Sequence, residues 1–291
     1  MKSGFVSLLG RPNAGKSTLL NAIMKQEVSI VTKKPQTTRN LIRAIYEDEE
    51  AQIVFVDTPG VHKPFNQFST FMNKIAYKSA TQSEVTLLII DASSPFGGGD
   101  EFLISRINPH MNVIVVFTKI DLVYLKDIEK LKAKYHELLP DCPQVEVRAP
   151  VGFNIDELLR LIKTRLQFDD RLYDDATLIS PTMNFVISEI IREQIIILFG
   201  EEIPYAVAIE VKNLAKKSTG YLTDATIFVQ KESQKPIIIG KNGLMIKKIG
   251  TRARKRLETL YHEHFVLNLN VVTKKDWQQN AADLKRFGYT S

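Results

Sequence analysis

Near the start of the chain, Gly10-Arg11-Pro12-Asn13-Ala14-Gly15-Lys16-Ser17 has the spacing G-x-x-x-x-G-K-S, a pattern whose chemistry is phosphate binding. Glycines let the main chain curl until successive N–H groups point at phosphate oxygens. The run follows an apolar stretch over residues 5–9 and opens a helical pattern over 16–24, so the positive end of a helix dipole adds to the anion site. Lys16 then neutralises charge between the β- and γ-phosphates, and the Ser17 hydroxyl ligates Mg²⁺. Gly10, Asn13, Ala14, Gly15 and Thr18 complete the cradle around a nucleoside triphosphate.

Three further groups fit the same chemistry. Asp57-Thr58-Pro59-Gly60 closes the third apolar run; an aspartate there can hold Mg²⁺ through water, and Gly60 can offer its N–H to the γ-phosphate with no side chain in the way. Between the two motifs lies Pro35-Gln36-Thr37-Thr38-Arg39, where a threonine can complete the magnesium shell and release it after hydrolysis. Thr38 is the choice, with Thr37 in reserve. Thr118-Lys119-Ile120-Asp121 follows the run over 113–117. There an aspartate accepts from both N1–H and the 2-amino group of guanine, whereas adenine presents a lone pair at N1 and has no 2-amino group. Hydrogen bonds to a charged partner contribute roughly 1.5–3 kcal/mol each, enough to choose GTP over ATP. The Ala149 N–H, in the loop after 145–147, can reach guanine O6.

The motifs also carry departures from the usual pattern. The motif ending at Asp121 usually begins with Asn, and a Thr118 hydroxyl can still tie the strand end to the phosphate loop. Arg148 stands where Ser is usual before Ala149. Val61 occupies the position after Gly60 where a glutamine often orients water, so hydrolysis must draw on backbone, a cation or a partner, and basal turnover should be slow, at roughly 10⁻⁴–10⁻² s⁻¹. Asn13 is the candidate ligand for a K⁺ ion bridging the loop and the phosphates.

These residues need a scaffold that gathers loops at one edge. Apolar runs at 5–9, 41–46, 52–56, 85–90, 113–117 and 145–147 alternate with helical patterns at 16–24, 69–80, 101–107, 127–139 and 154–166. That alternation predicts an α/β fold with a mostly parallel sheet and helices on both faces, whose ligands bind at the carboxyl ends of the strands. The acidic stretch from 168 to 181 breaks the pattern. The expected division is a nucleotide domain over 1–170, a linker over 171–181 and a smaller α+β domain over 182–291. In the last, a helix at 183–199 is followed by strands at 206–211 and 225–230, a turn at 240–243, a basic helix and a strand at 265–272.

Composition narrows the class. The 291 residues are 44% hydrophobic and 25% charged, ordinary for globular domains. No apolar run approaches the roughly 18 residues that span a bilayer, the N-terminus lacks a signal-peptide plan, and the one cysteine, Cys142, excludes an internal disulfide framework. A cytoplasmic protein fits. Charge is uneven: residues 1–170 carry 21 Lys+Arg against 20 Asp+Glu, and residues 171–291 carry 18 against 13. Eight basic residues and no acidic one lie within 235–256, an excess that attracts polyanions. That run contains Ile239-Gly240-Lys241-Asn242-Gly243, with an apolar lead-in at Pro236–Ile239 and an apolar stripe beyond it of Leu244 or Met245, Ile246 and Ile249. This is the plan of a KH module, in which G-x-x-G clamps about four nucleotides of single strand. Lys241, Lys247 and Lys248 supply phosphate contacts.

Taken together, the chain resembles the bacterial Era GTPases, in which a G domain precedes a type II KH domain. The resemblance covers nearly the whole length: Gly10–Ser17, Gln36–Arg39, Asp57–Gly60, Ile190-Ile191-Arg192-Glu193, Glu201-Glu202-Ile203-Pro204, Pro236–Gly243, Trp277 and Leu284–Tyr289. It implies GTP and GDP as ligands with Mg²⁺. It also implies the 3′ end of 16S ribosomal RNA and the 30S subunit as partners, a role in rRNA processing and small-subunit biogenesis, and some peripheral membrane association; a monomer without DNA is expected. The competing readings are a G domain coupled to tRNA modification, against which residues 171–291 contain no cysteine, a membrane-associated regulatory GTPase, a pure RNA-binding or membrane-surface protein with a degenerate G domain, against which Lys16, Ser17, Asp57 and Asp121 are all present, and an ATP-using protein.

Overall fold

The residues 51–57 are buried without a break, which is possible only for a strand covered on both faces. In the computed structural model, which describes residues 1–29, 31, 38–173, 182–200 and 202–289, the first part of the chain forms β1 (Lys2–Gly10), α1 (Lys16–Met24), β2 (Ile42–Glu47), β3 (Ala51–Asp57), α2 (Gln67–Gln82), β4 (Val85–Asp91), α3 (Gly98–Ile104), β5 (Val113–Thr118), α4 (Leu125–Leu138), β6 (Gln144–Glu146) and α5 (Ile155–Lys163). The sheet order is β2-β3-β1-β4-β5-β6. Strand β2 runs antiparallel to β3 and every other pair is parallel. One face buries Leu8, Phe55 and Val116 under α1 and α5 through Leu19, Leu20, Leu158 and Ile162. The other buries Leu9, Leu88 and Phe117 against Ala76 and Ala80 of α2, Leu103 of α3 and Tyr135 of α4. The alternation of Leu8 and Leu9 between the two cores is the period-2 pleat at work.

The parallel register brings Gly10, Asp57, Asp91 and Thr118 to one end of the sheet, the end where a doubly covered sheet binds ligands. Helix α3 begins at Gly98 rather than near 101, because the Asp100 carboxylate accepts from the Gly97 N–H at 3.0 Å and caps the helix ahead of the glycines. At the start of the expected linker, Leu172 and Tyr173 donate their N–H groups to Gln52 Oε1 at 2.9 and 3.0 Å. The buried amide of Gln52 is thereby satisfied.

The chain divides into two compact units between residues 180 and 181. In the second, α6 (Met183–Leu198) and α7 (Ile203–Ala206) precede β7 (Ala208–Lys217), β8 (Gly220–Val229), α8 (Lys235–Ile239), α9 (Leu244–Tyr261), β9 (Phe265–Thr273) and α10 (Ala281–Arg286). The sheet is β7-β8-β9, antiparallel then parallel. Its core joins Ile187, Ile191 and Ile195 of α6 to Ile249, Ala253 and Leu257 of α9 and to Ile227 and Phe265 of the sheet. The expected strand from 206 starts at Ala208 because Pro204, in the first turn of α7, favours one helical turn there. The β7–β8 hairpin turns tightly at Gly220, whose φ is 122° and where a Cβ would meet the His264 carbonyl oxygen at 2.1 Å. The chain end packs back: Trp277 is buried and donates Nε1–H to Ala206 O at 3.1 Å, and Phe287 lies on Phe228.

Candidate nucleotide site and nucleic-acid interface

The phosphate loop crosses from β1 to α1 through two left-handed residues, Asn13 at φ 62° and Gly15 at φ 95°. A Cβ on Gly10 would stand 2.5 Å from the Ile89 carbonyl oxygen, and one on Gly60 would stand 2.7 Å from Pro12 Cα and N. The main chains of the two phosphate-side motifs therefore approach as closely as glycine allows. The Val61 N–H donates to Gly10 O at 3.0 Å and fixes that approach. Lys16 is buried, with Nζ donating to Gly10 O at 3.2 Å and Arg11 O at 2.9 Å, so its ammonium sits inside the loop. Thr18 is half-buried on the first turn of α1. Arg11 is pinned away from the loop by Asp100 at 2.8 Å.

Three oxygens expected around a divalent cation come together. Ser17 Oγ lies 2.6 Å from Asp57 Oδ2 and 3.0 Å from Thr38 Oγ1, which is itself 3.4 Å from Asp57 Oδ2. Thr38 is buried; Thr37, Pro35 and Gln36 lie outside the described residues. Asp57 Oδ1 is buried without a hydrogen-bond partner, an orphan acceptor at the place a hydrated cation would fill. Among the described residues no group of three or more His, Cys, Asp and Glu side chains could hold a metal ion. The donors here are instead two hydroxyls and one carboxylate beside a phosphate site, the hard oxygen set that suits Mg²⁺. Burial pushes the Asp57 carboxyl up, opposed chiefly by the Lys16 charge. Burial likewise brings the Lys16 ammonium down to about 8, with Asp57 pulling it back.

Val61, in the position where a glutamine would face water, has its side chain buried in the core with Leu9 and Ala76. It therefore contributes backbone only. His62 is tied to α2, where Asn73 Nδ2 donates to His62 O at 2.7 Å, and its ring stacks on Phe65 at 5.4 Å. Thr38, Arg39, Pro59, Gly60 and His62 line one recess with Phe68, Ser69 and Met72 of α2.

At the base end, Thr118 Oγ1 lies 2.6 Å from Ala14 O and 3.0 Å from Ile90 O, so the hydroxyl does tie β5 to the phosphate loop. Lys119, at φ 56°, is held by Asp91 at 2.5 Å. Asp121 sits on a one-turn 3₁₀ helix directly after and is open to solvent. Ala149 is buried in a second such turn, where an antiparallel bridge between Arg148 and Phe153 fixes the loop.

In the second unit, Gly240 has φ 74° and ψ 169°, Asn242 φ 53° and Gly243 φ 73°. A Cβ on Gly240 would meet Met245 Cβ at 2.6 Å and Met245 N at 2.9 Å. The loop therefore lies tight on the start of α9. Lys241, Asn242, Lys247, Lys248, Arg252 and Lys255 are exposed. Arg256 is not part of that face, because it pairs with Glu193 of α6 at 2.8 Å. Of the expected apolar stripe, Ile249 is fully buried, Met245 and Ile246 are half-buried, and Leu244 instead faces solvent at 66% exposure. Ile239 is half-buried against the core. The apolar side chains offered beside the loop are Leu244 and Ile237, the latter 48% exposed.

Sequence reasoning missed Ser29, whose Oγ donates to Asp57 Oδ2 at 2.8 Å and whose position is set by Asn21. No motif marks it. Asp91 and Asp100 were missed too, although an acid closing an apolar strand, as Asp91 does, was a readable signal.

The chain matches the family model described as 50S ribosome-binding GTPase over residues 5–119 and that of the KH domain over residues 202–278. It is 42% identical over 291 residues to GTPase Era of Halothermothrix orenii, an alignment covering 99% of this chain and 98% of the relative. Two crystal structures match it over 100% of both chains at 33% identity. One is an Aquifex aeolicus Era variant bound to GDP·AlF₄⁻, with a TM-score of 0.93. The other is Era in complex with MgGDPNP and nucleotides 1506–1542 of 16S ribosomal RNA, with a TM-score of 0.95.

Proposed function

The chain belongs to the Era family of GTPases, and from that premise we propose that it couples GTP hydrolysis in its first unit to binding of the 3′ end of 16S ribosomal RNA by its second, in rRNA processing and assembly of the 30S subunit. The observation that carries the reading is the coexistence, in one chain, of the Ser17–Thr38–Asp57 oxygen cluster with the Gly240–Gly243 loop and its exposed lysines. A relative of the same fold is seen with both a guanine nucleotide and that RNA.

In this reading the amides of Gly10–Ser17 and the Lys16 ammonium hold the β- and γ-phosphates, Asp121 and Ala149 select guanine, and Lys119 borders the base. Ser17 and Thr38 would ligate Mg²⁺, with Asp57 holding it through water. When bound, the ion neutralises charge building on the phosphate oxygens. Gly60 presents its N–H to the γ-phosphate, and loss of that phosphate frees Thr38. Because Val61 is turned into the core, no side chain at that position orients the attacking water, and unassisted turnover is slow. Asn13, exposed at the bend of the loop, is the residue for a K⁺ ion; hydrolysis in potassium buffer should exceed that in sodium buffer severalfold, and equal rates would remove the ion from the account.

RNA contact rests on Gly240–Gly243 with Ile239, Lys241, Lys247 and Lys248, where the three lysines are exposed and no acidic residue intervenes. Among the described residues no helix is long and apolar enough to cross a membrane. Action in the cytoplasm with peripheral membrane contact is the place the reading implies, and cell fractionation with and without salt washing tests it. The decisive test of the RNA half is crosslinking in cells: the native protein should crosslink near the 3′ end of 16S rRNA and Gly240→Asp should not. Crosslinks dominated by tRNA would reverse the assignment.

A further inference from the structure

The base-recognition end holds a charge that guanine binding does not use. Arg148 Nε lies 3.6 Å from Asp121 Oδ2, and the two side chains are 47% and 35% exposed. The neighbouring side chains are anchored elsewhere in the fold, Lys119 by Asp91 at 2.5 Å and Thr118 by Ala14 O at 2.6 Å. Among the described residues the Arg148 guanidinium has no ionic partner but Asp121. A group that orients a carboxylate is itself held by further hydrogen bonds, and among the described residues the Arg148 side chain makes none. Its side chain is about half exposed, beside the carboxylate that a base would reach.

Guanine calls on both carboxylate oxygens of Asp121, one for N1–H and one for the 2-amino group. A guanidinium 3.6 Å from Oδ2 draws on one of those same oxygens. We propose that Arg148 is a specificity- and residence-determining residue that competes with guanine for Asp121 and so shortens the stay of GDP and GTP alike. The competition acts at the base end, common to both nucleotides, and leaves the phosphate loop untouched. The backbone at this position is fixed independently of the side chain: Arg148 N–H donates to Phe153 O at 3.3 Å and Phe153 N–H donates to Arg148 O at 3.3 Å. Exchanging the side chain therefore keeps Ala149 in place.

The proposal rests on the guanine reading of Asp121, so its test has two arms. Dissociation of fluorescent GDP and of a fluorescent non-hydrolysable GTP analogue is followed by stopped flow in the native protein, Arg148→Ser and Arg148→Lys. Arg148→Ser should slow release of both about two- to fivefold, the range that exposed ion pairs reach, and Arg148→Lys should stay near native. The gap between native and Arg148→Ser should shrink from low to 0.5 M-scale salt, where exposed charges are screened within about 4–5 Å. Release that is unchanged or faster in Arg148→Ser, or a gap indifferent to salt, overturns the proposal. Competition by ATP on the same native preparation reads the premise separately: ATP displacing GDP as well as GTP does would overturn both.

Discussion

The hydroxyl of Thr118 lies 2.6 Å from the main-chain oxygen of Ala14 and joins the end of β5 to the phosphate loop with a single bond. A longer amide side chain is the usual occupant of that position, yet the tie survives, and it sits against a glycine: a Cβ on Gly15 would come within 3.3 Å of Thr118 Oγ1. The two ends of the nucleotide site are thus mechanically one piece.

Thr118→Val keeps the shape and deletes the hydroxyl, whose one proton serves the Ala14 carbonyl at 2.6 Å. A buried acceptor left unpaired costs about 1–3 kcal/mol, so GDP and GTP binding should weaken together by about tenfold. Fluorescent-nucleotide titration measures this; a loss confined to GTP would mean that the tie serves the γ-phosphate side instead.

Ser29→Ala removes one hydrogen bond to Asp57 Oδ2 without touching a direct ligand. Outer contacts to metal-holding groups typically matter about 10–100-fold in metal affinity, so the magnesium concentration for half-maximal hydrolysis should rise at least several-fold at little change in the plateau rate. Equal magnesium curves for variant and native protein would assign Ser29 to folding alone.

Gly60→Ala places a methyl group 2.7 Å from Pro12 main-chain atoms, which cannot yield as a side-chain tip can. The two motifs must part, and the γ-phosphate loses its amide. Single-turnover hydrolysis should fall by more than about tenfold, equivalent to about 1.4 kcal/mol of barrier, while GDP affinity changes little. Parallel loss of GDP binding would show that the approach of Gly60 to Pro12 supports the whole loop.

Lys247→Ala and Lys248→Ala should each weaken single-stranded RNA binding across sequences and reduce the slope of log affinity against log salt by about 0.7, the value for one phosphate contact on a single strand. Gly240→Asp, which adds both a Cβ 2.6 Å from Met245 and a negative charge, should abolish binding while leaving GTP hydrolysis intact. A salt slope indifferent to both lysines would place the RNA elsewhere on the unit.

Much of this was legible before any fold was seen, and for identifiable reasons. Lys16, Ser17, Asp57 and Asp121 announce themselves because phosphate, magnesium and guanine each demand a particular functional group at a fixed distance from a strand end. Strands β1, β3, β4 and β5 announce themselves because burial on both faces leaves apolar runs. What stayed hidden depends on contacts distant in sequence. Ser29 reaches Asp57 only because Asn21 folds the segment beyond α1 back onto it. The start of α3 rests on a carboxylate cap that outweighs three glycines. Leu244 and Met245 are equivalent by composition, and only the direction in which α9 leaves the tight Gly240 turn decides that Met245 goes inward. Arg256 looks like one more cation in a basic run until Glu193 claims it.

The central claim is that Asp121 chooses the base, and a competition titration tests it most directly. Fluorescent GDP bound to native protein and to Asp121→Asn is displaced with GTP, ATP and XTP. Xanthine carries an oxygen where guanine has its 2-amino group, so an amide at this position would donate to it where a carboxylate repels it. The native protein should prefer GTP to ATP by at least about 100-fold, as two charged hydrogen bonds allow, and Asp121→Asn should lose GTP and gain XTP. Equal displacement by ATP and GTP, or an Asp121→Asn protein that still prefers GTP, would contradict the account.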